Sequence, residues 1–155
     1  MSQAIAKRLS DLGVTLPEPA APVANYVPFT ISGNTLLISG QLPTGPDGQM
    51  VKGHLGSNVS LEKGQEAAKH CAVNLLAQAR MALGGDLGRI TRCLKLGAFV
   101  ACTPEFPDHS KVVNGASDFM VAALGDAGRH ARFAVGVAAL PFGAAVEIDA
   151  VFEIK

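Results

Sequence analysis

The sequence predicts an α+β domain in which one mixed β-sheet carries two long helices on one face. Three observations predict it. Residues 60–85 and 109–125 repeat apolar side chains at helical spacing. Residues 29–41, 92–102 and 130–154 are instead β-branched or alternate with period two. The resulting order is helix, hairpin, helix, strand, helix, hairpin.

The first helix spans residues 2–12, with Ile5, Leu9 and Leu12 on one side and Gly13 as its stop. VTLPEPAAPVANYVP follows, with prolines at 17, 19, 22 and 28, and runs extended. FTISG and NTLLISG flank Gly33-Asn34, a turn signal that predicts a hairpin. PTGPDGQMVKGHLGSN is a loop with a short strand expected at Gln49–Lys52. Ser60 caps the longest helix, whose stripe includes Leu61, Ala68, Cys71, Ala72, Leu75, Leu76, Ala79 and Leu83, and Gly84-Gly85 ends it. Leu94, Leu96, Ala98 and Val100 alternate through the strand at 92–102. The next helix presents Val112, Val113, Ala116, Phe119, Met120 and Ala123 on one broad face. HARFAVGVAALPFGAAVEIDAVFEI then reads as a closing hairpin that turns near Leu140–Gly143. Residues 1–21 form an N-terminal helix and arm, and 22–155 form the main domain.

Composition narrows the function. Thirteen Lys and Arg balance thirteen Asp and Glu, so no clustered positive charge favours nucleic acid or an anionic membrane. No apolar run approaches the roughly 18–20 residues a membrane span needs. The N-terminus, charged at positions 7, 8 and 11, is not a signal peptide. Cys71, Cys93 and Cys102 are odd in number and lack CxxC spacing, which fits a reduced, cytoplasmic setting without a disulfide framework. His54, His70, His109 and His130 lack metal-ligand spacing, so no metal site is expected. A 48% hydrophobic content without a membrane segment points to surface covered by other subunits.

The closing segment holds one charge on each arm. By strand parity Arg132, Ala134, Gly136 and Ala138 share a face, expected to be open above a small-residue floor. Phe133, Val135 and Val137 are expected to pack on helices. If the arms pair, Arg132 and Glu147 both project from the non-helical face. Arginine's planar fork suits a carboxylate, and a glutamate can hold a water for attack. A cross-strand ion pair or two solvated strand ends fit the same pattern, and the residues leave these readings open.

RFAVGVAALPFGAAVEIDA, ISGNTLLISGQLP, VVNGASDFM and NYVPF together resemble, in order, the motifs of the RidA/YjgF-like reactive intermediate (enamine/imine) deaminase family, also called endoribonuclease L-PSP. The resemblance covers residues 22–155, in a longer subfamily of about 150 residues. It implies a chorismate-mutase-like fold, and a homotrimer closed through a central β-barrel with sites at subunit interfaces. It implies hydrolysis of 2-enamine and 2-imino acids, such as 2-aminoacrylate and 2-iminopropanoate, to 2-oxo acids and ammonia, with no cofactor. Carried over residue by residue, Arg132 clamps the substrate carboxylate and Glu147 positions water. Tyr26, Ser39, Gly40 and Asn114 contact the ligand. Ala134 stands where the archetypal deaminases carry a cysteine, which reshapes the pocket. A non-catalytic carboxylate-binding or chaperone-like trimer is the alternative. A ribonuclease, suggested by the family's other name, sits badly with a formal charge of zero.

Overall fold

The computed structural model describes residues 2–19 and 24–155. Helix α1 (Gln3–Asp11) starts at Ser2, whose Oγ accepts from the Ile5 amide at 3.3 Å. Ile5, Leu9 and Leu16 join the same core as the rest of the chain. The boundary between residues 21 and 22, and Pro22 itself, lie outside the described residues. Strands β1 (Phe29–Ser32) and β2 (Thr35–Gln41) form the expected hairpin about Gly33-Asn34. Where a short strand was expected at 49–52 there are two isolated bridges, Thr44 with Met50 and Lys52 with Ala144.

Helix α2 (Leu61–Ala82) is capped as expected, with Ser60 Oγ accepting from the Lys63 amide at 3.1 Å. Its stripe packs against helix α3 (His109–Leu124), whose Val112, Val113, Ala116, Phe119, Met120 and Ala123 are all buried. The approach is close enough that a methyl on Gly115 would collide with the Gln65 carbonyl. That position therefore takes only glycine without moving a helix.

Three more strands complete the sheet: β3 (Ile90–Ala101), β4 (Ala131–Val137) and β5 (Val146–Ile154). The order is β1-β2-β5-β3-β4, antiparallel throughout except for the parallel pair β3–β4. A parallel pair needs a crossover, and α3 supplies it. The mixed α+β sheet with two long helices on one face is as the sequence predicts. The closing hairpin is not: β5 enters between β2 and β3, and β4 takes the far edge. One alternation also breaks. A register shift between Cys93 and Lys95 gives Cys93 the buried place and leaves Leu94 exposed.

The face of β4 is the reverse of the one expected. Ala134 packs against the core, and a methyl on Gly136 would sit 2.6 Å from His109 Nε2 and 2.7 Å from Cys102 Sγ. Helix α3 seats so low on this edge that only small side chains fit beneath it. Phe133 and Val135 consequently turn to the other, uncovered face, where Phe133 meets Phe99 edge-on at 5.4 Å.

Candidate functional site

Arg132 leaves β4 toward α3, not toward the open side. Its Nη1 donates to Ser117 Oγ at 3.0 Å and its Nη2 to the Ser110 carbonyl at 3.1 Å. Ser110, Asn114 and Ser117 are spaced four and three apart, which sets them on one helix face. Two of the five guanidinium donors are thus used among the described residues, and three remain for a ligand. Arg132, Asn114, Ser117, Val121, Arg129 and His130 line a shallow basin of about 270 Å³. His130 bonds Ser117 Oγ through Nε2 at 2.8 Å and the Gly128 carbonyl through Nδ1 at 2.6 Å.

Glu147 lies elsewhere. It is half-buried on the open sheet face, opposite Phe99. Among the described residues its carboxylate makes no hydrogen bond. Burial, and then the neighbouring Asp149, raise its pKa above the ordinary 4.5. Asp149 is itself held, accepting from the Gly97 amide at 3.0 Å. A register irregularity between Ile38 and Gln41 brings Gly40 against Glu147. A β-carbon at Gly40 would lie 2.7 Å from Glu147 Oε1, so glycine there makes the room the carboxylate occupies.

Ser39 ties this region to the N-terminal arm. Its Oγ donates to the Val27 carbonyl at 2.8 Å and its amide to the Pro28 carbonyl at 2.9 Å. Tyr26, 57% exposed, shares with Ser39 and Gly40 the wall of a cavity of about 700 Å³ that runs to α2. Gln78 stands in the α2 wall, 6% exposed, with Oε1 lacking a hydrogen-bond partner among the described residues.

The expected site residues therefore fall into two groups. Arg132 and Asn114 share the basin; Glu147, Gly40, Ser39 and Tyr26 cluster near the end of β2. Ala134 packs against the core beside its strand partner Ala98. Arg132 pairs with Leu96, which pairs with Ala150, three residues beyond Glu147. Two strand spacings and three residues of rise separate the Cα atoms of Arg132 and Glu147 by roughly 14 Å. The odd offset also puts their side chains on opposite faces. A shared pocket within one chain is ruled out, because the pairing that would have made it is replaced by β3.

Ser117 and His130 were not assigned site roles from the sequence. The signal was present: His130 lies two residues before Arg132, and Ser117 lies one turn after Asn114. A thiol–imidazole contact, Cys102 Sγ to His109 Nε2 at 3.4 Å, sits over Gly136. Burial raises the Cys102 pKa, so the neutral thiol is favoured there. Cys71 and Cys93 are packing residues, and burial pushes Cys93 up to about 12. Among the described residues no three His, Cys, Asp or Glu side chains are placed to share a metal ion, and no helix is long and apolar enough to cross a membrane.

Comparison with known proteins agrees with this architecture. The sequence model of the family described as "YjgF/chorismate_mutase-like, putative endoribonuclease" matches residues 6–152. Protein TCP17 of Trypanosoma cruzi is 48% identical over 152 residues, covering 97% of this chain and 94% of that one. The crystal structure of the protein Atu1372 from Agrobacterium tumefaciens superposes with a TM-score of 0.92 at 54% identity, covering 99% of this chain and 96% of the other. A structure from Shewanella oneidensis MR-1, described as "a putative endoribonuclease", also gives 0.92, at 31% identity, covering 97% of this chain and 99% of the other. With its mixed five-stranded sheet, its helices on one face and its ordered C-terminal motif, the chain belongs to the RidA/YjgF-like family.

Proposed function

We propose that this protein hydrolyses small, reactive 2-imino acids, formed from 2-enamine acids, to 2-oxo acids and ammonia. The site is completed between copies of the chain in a homotrimer. Arg132 and Asn114 of one copy bind the substrate carboxylate. Glu147 of the neighbouring copy holds the water that attacks the C=N carbon, beside Gly40, Ser39 and Tyr26.

The observation that carries this reading is the Glu147 carboxylate, half-buried, without a hydrogen bond among the described residues and with its pKa raised. A carboxylate whose pKa is raised is a stronger base toward the proton of water, and its lone pairs, unclaimed among the described residues, are free to hold that water. Arg132 supports the reading with three uncommitted donors, held in place by α3. Because the two groups lie on opposite faces, one substrate molecule meets both only if two chains contribute. The uncovered face of the sheet, with Leu37, Phe133 and Val135 exposed, offers apolar surface for such an assembly.

Mixed assembly tests both parts. The substrate imine is generated in situ by an amino-acid oxidase, and its disappearance is followed with a carbonyl-trapping reagent. Arg132→Ala and Glu147→Gln are each expected to be inactive alone. Co-refolded together, they are expected to regain activity where an intact Arg132 meets an intact Glu147. Wild-type protein with no turnover above background would refute the activity; active protein whose mixed variants recover nothing would refute the shared site.

A further inference from the structure

Three hydrogen bonds in line single out Ser117. Arg132 Nη1 lies 3.0 Å from Ser117 Oγ, Ser117 Oγ lies 2.8 Å from His130 Nε2, and His130 Nδ1 lies 2.6 Å from the Gly128 carbonyl oxygen. The two ends of this row are fixed by chemistry. A guanidinium only donates, and a carbonyl only accepts. In the neutral imidazole the proton must therefore sit on Nδ1, which leaves Nε2 bare. The hydroxyl then accepts from Arg132 and gives its own proton to Nε2.

We propose that Ser117 is a nucleophile, activated by His130, and that the basin around it hydrolyses small esters through an acyl-serine intermediate. A nucleophile within reach of a base, the base held by a third group, is the arrangement that such catalysis requires. The third group here is a backbone carbonyl, which fixes the tautomer as a carboxylate would. Arg132 contributes twice. Beside Oγ it stabilises the negative charge that grows as the proton leaves. Its remaining donors, with the Asn114 side chain one turn earlier on α3, are placed to receive the oxyanion of a tetrahedral adduct. The basin, about 270 Å³ and open to solvent, has room for a short acyl group.

The steps balance without a co-reactant other than water. Ser117 Oγ attacks the ester carbonyl carbon as its proton passes to Nε2. The bond to the alcohol oxygen breaks, and His130 returns that proton to the departing alkoxide. Water then attacks the acyl-serine, giving a proton to Nε2. The carboxylic acid leaves, and Oγ recovers its proton. These contacts lie within one chain, so the inference does not rest on imine hydrolysis, although the two share Arg132 and Asn114.

The test is covalent labelling of the folded, full-length protein with an alkyl fluorophosphonate, read by peptide mass spectrometry. A single adduct on Ser117 is expected, lost on prior heat denaturation and absent from Ser117→Ala. His130→Ala is expected to slow labelling by about a hundredfold or more, the usual contribution of a general base. Hydrolysis of p-nitrophenyl acetate should fall in step. A network that merely steadies Arg132 would leave Ser117 inert to the reagent. No adduct on Ser117 of folded wild-type protein overturns the proposal, as does labelling of folded His130→Ala at the wild-type rate. The wild-type adduct decides alone if a variant does not fold.

Discussion

The surroundings of Arg132 and of Glu147 differ in how completely their polar atoms are answered. Around Arg132, guanidinium, hydroxyl, imidazole and two backbone carbonyls bond one another in a continuous row. Around Glu147 the fold supplies close packing, a nearby like charge, and no hydrogen-bond donor among the described residues. The first region is preorganised by its own chain and ready for an anion. The second keeps a carboxylate poised but unpaired, which is costly unless water or a ligand meets it. In the proposed reaction, positioning falls to the rigid half and proton transfer to the half whose pKa is displaced.

Substitutions at four positions break or sharpen that contrast. The largest effect is expected from Arg132→Ala. Removing a hydrogen-bonded charge from a binding site should lower kcat/KM for imine hydrolysis on the order of a hundredfold to a thousandfold. Arg132→Lys should recover little of it, because an ammonium lacks the planar fork. Gly40→Ala comes next. The new methyl meets Glu147 Oε1, and displacing the carboxylate by about 1 Å should cost about tenfold to a hundredfold in kcat. Circular dichroism should show the fold retained.

At the third position, Glu147→Gln reads stability through pH. A carboxyl whose folded pKa is raised binds its proton more tightly in the native state. Stability then falls as pH rises from 4.5, the ordinary value, through the folded one. Glutamine removes that loss. The variant should melt at a higher temperature than wild type at pH 8, and the gap should close below pH 4.5. An equal gap at both pH values would mean that packing, not ionisation, sets the difference. Gln78→Leu should act least. Its carbonyl also has no partner among the described residues, but it is neutral. Removing it should raise stability by about 1 kcal/mol, seen as a small shift in denaturant midpoint.

Much of this was legible in the chain itself. Ser60 and the stripe behind it specify α2, because a cap and a helical period are local features. The alternation of β5 likewise marks its buried face without reference to neighbours, and Val146, Ile148, Ala150, Phe152 and Ile154 are all buried as read. The ordered motifs located Arg132 and Glu147 and the family they belong to.

What the sequence could not reveal was which strands become neighbours, since strand pairing is a contest between distant segments that no local pattern decides. Segments 131–137 and 146–154 lie close in sequence, and a hairpin was the simplest closure. Instead α3 carries the chain over to a parallel edge, and β5 pairs in the middle, where both of its edges find hydrogen bonds. The face of β4 was hidden for a related reason. Burial rewards bulk only where there is space, and beneath α3 there is space for Ala134 and Gly136 alone. Local chemistry thus determined the elements and the charged groups. The seating of one helix and the insertion of one strand decided which face each charge meets, because those distances exist only once the layers have packed.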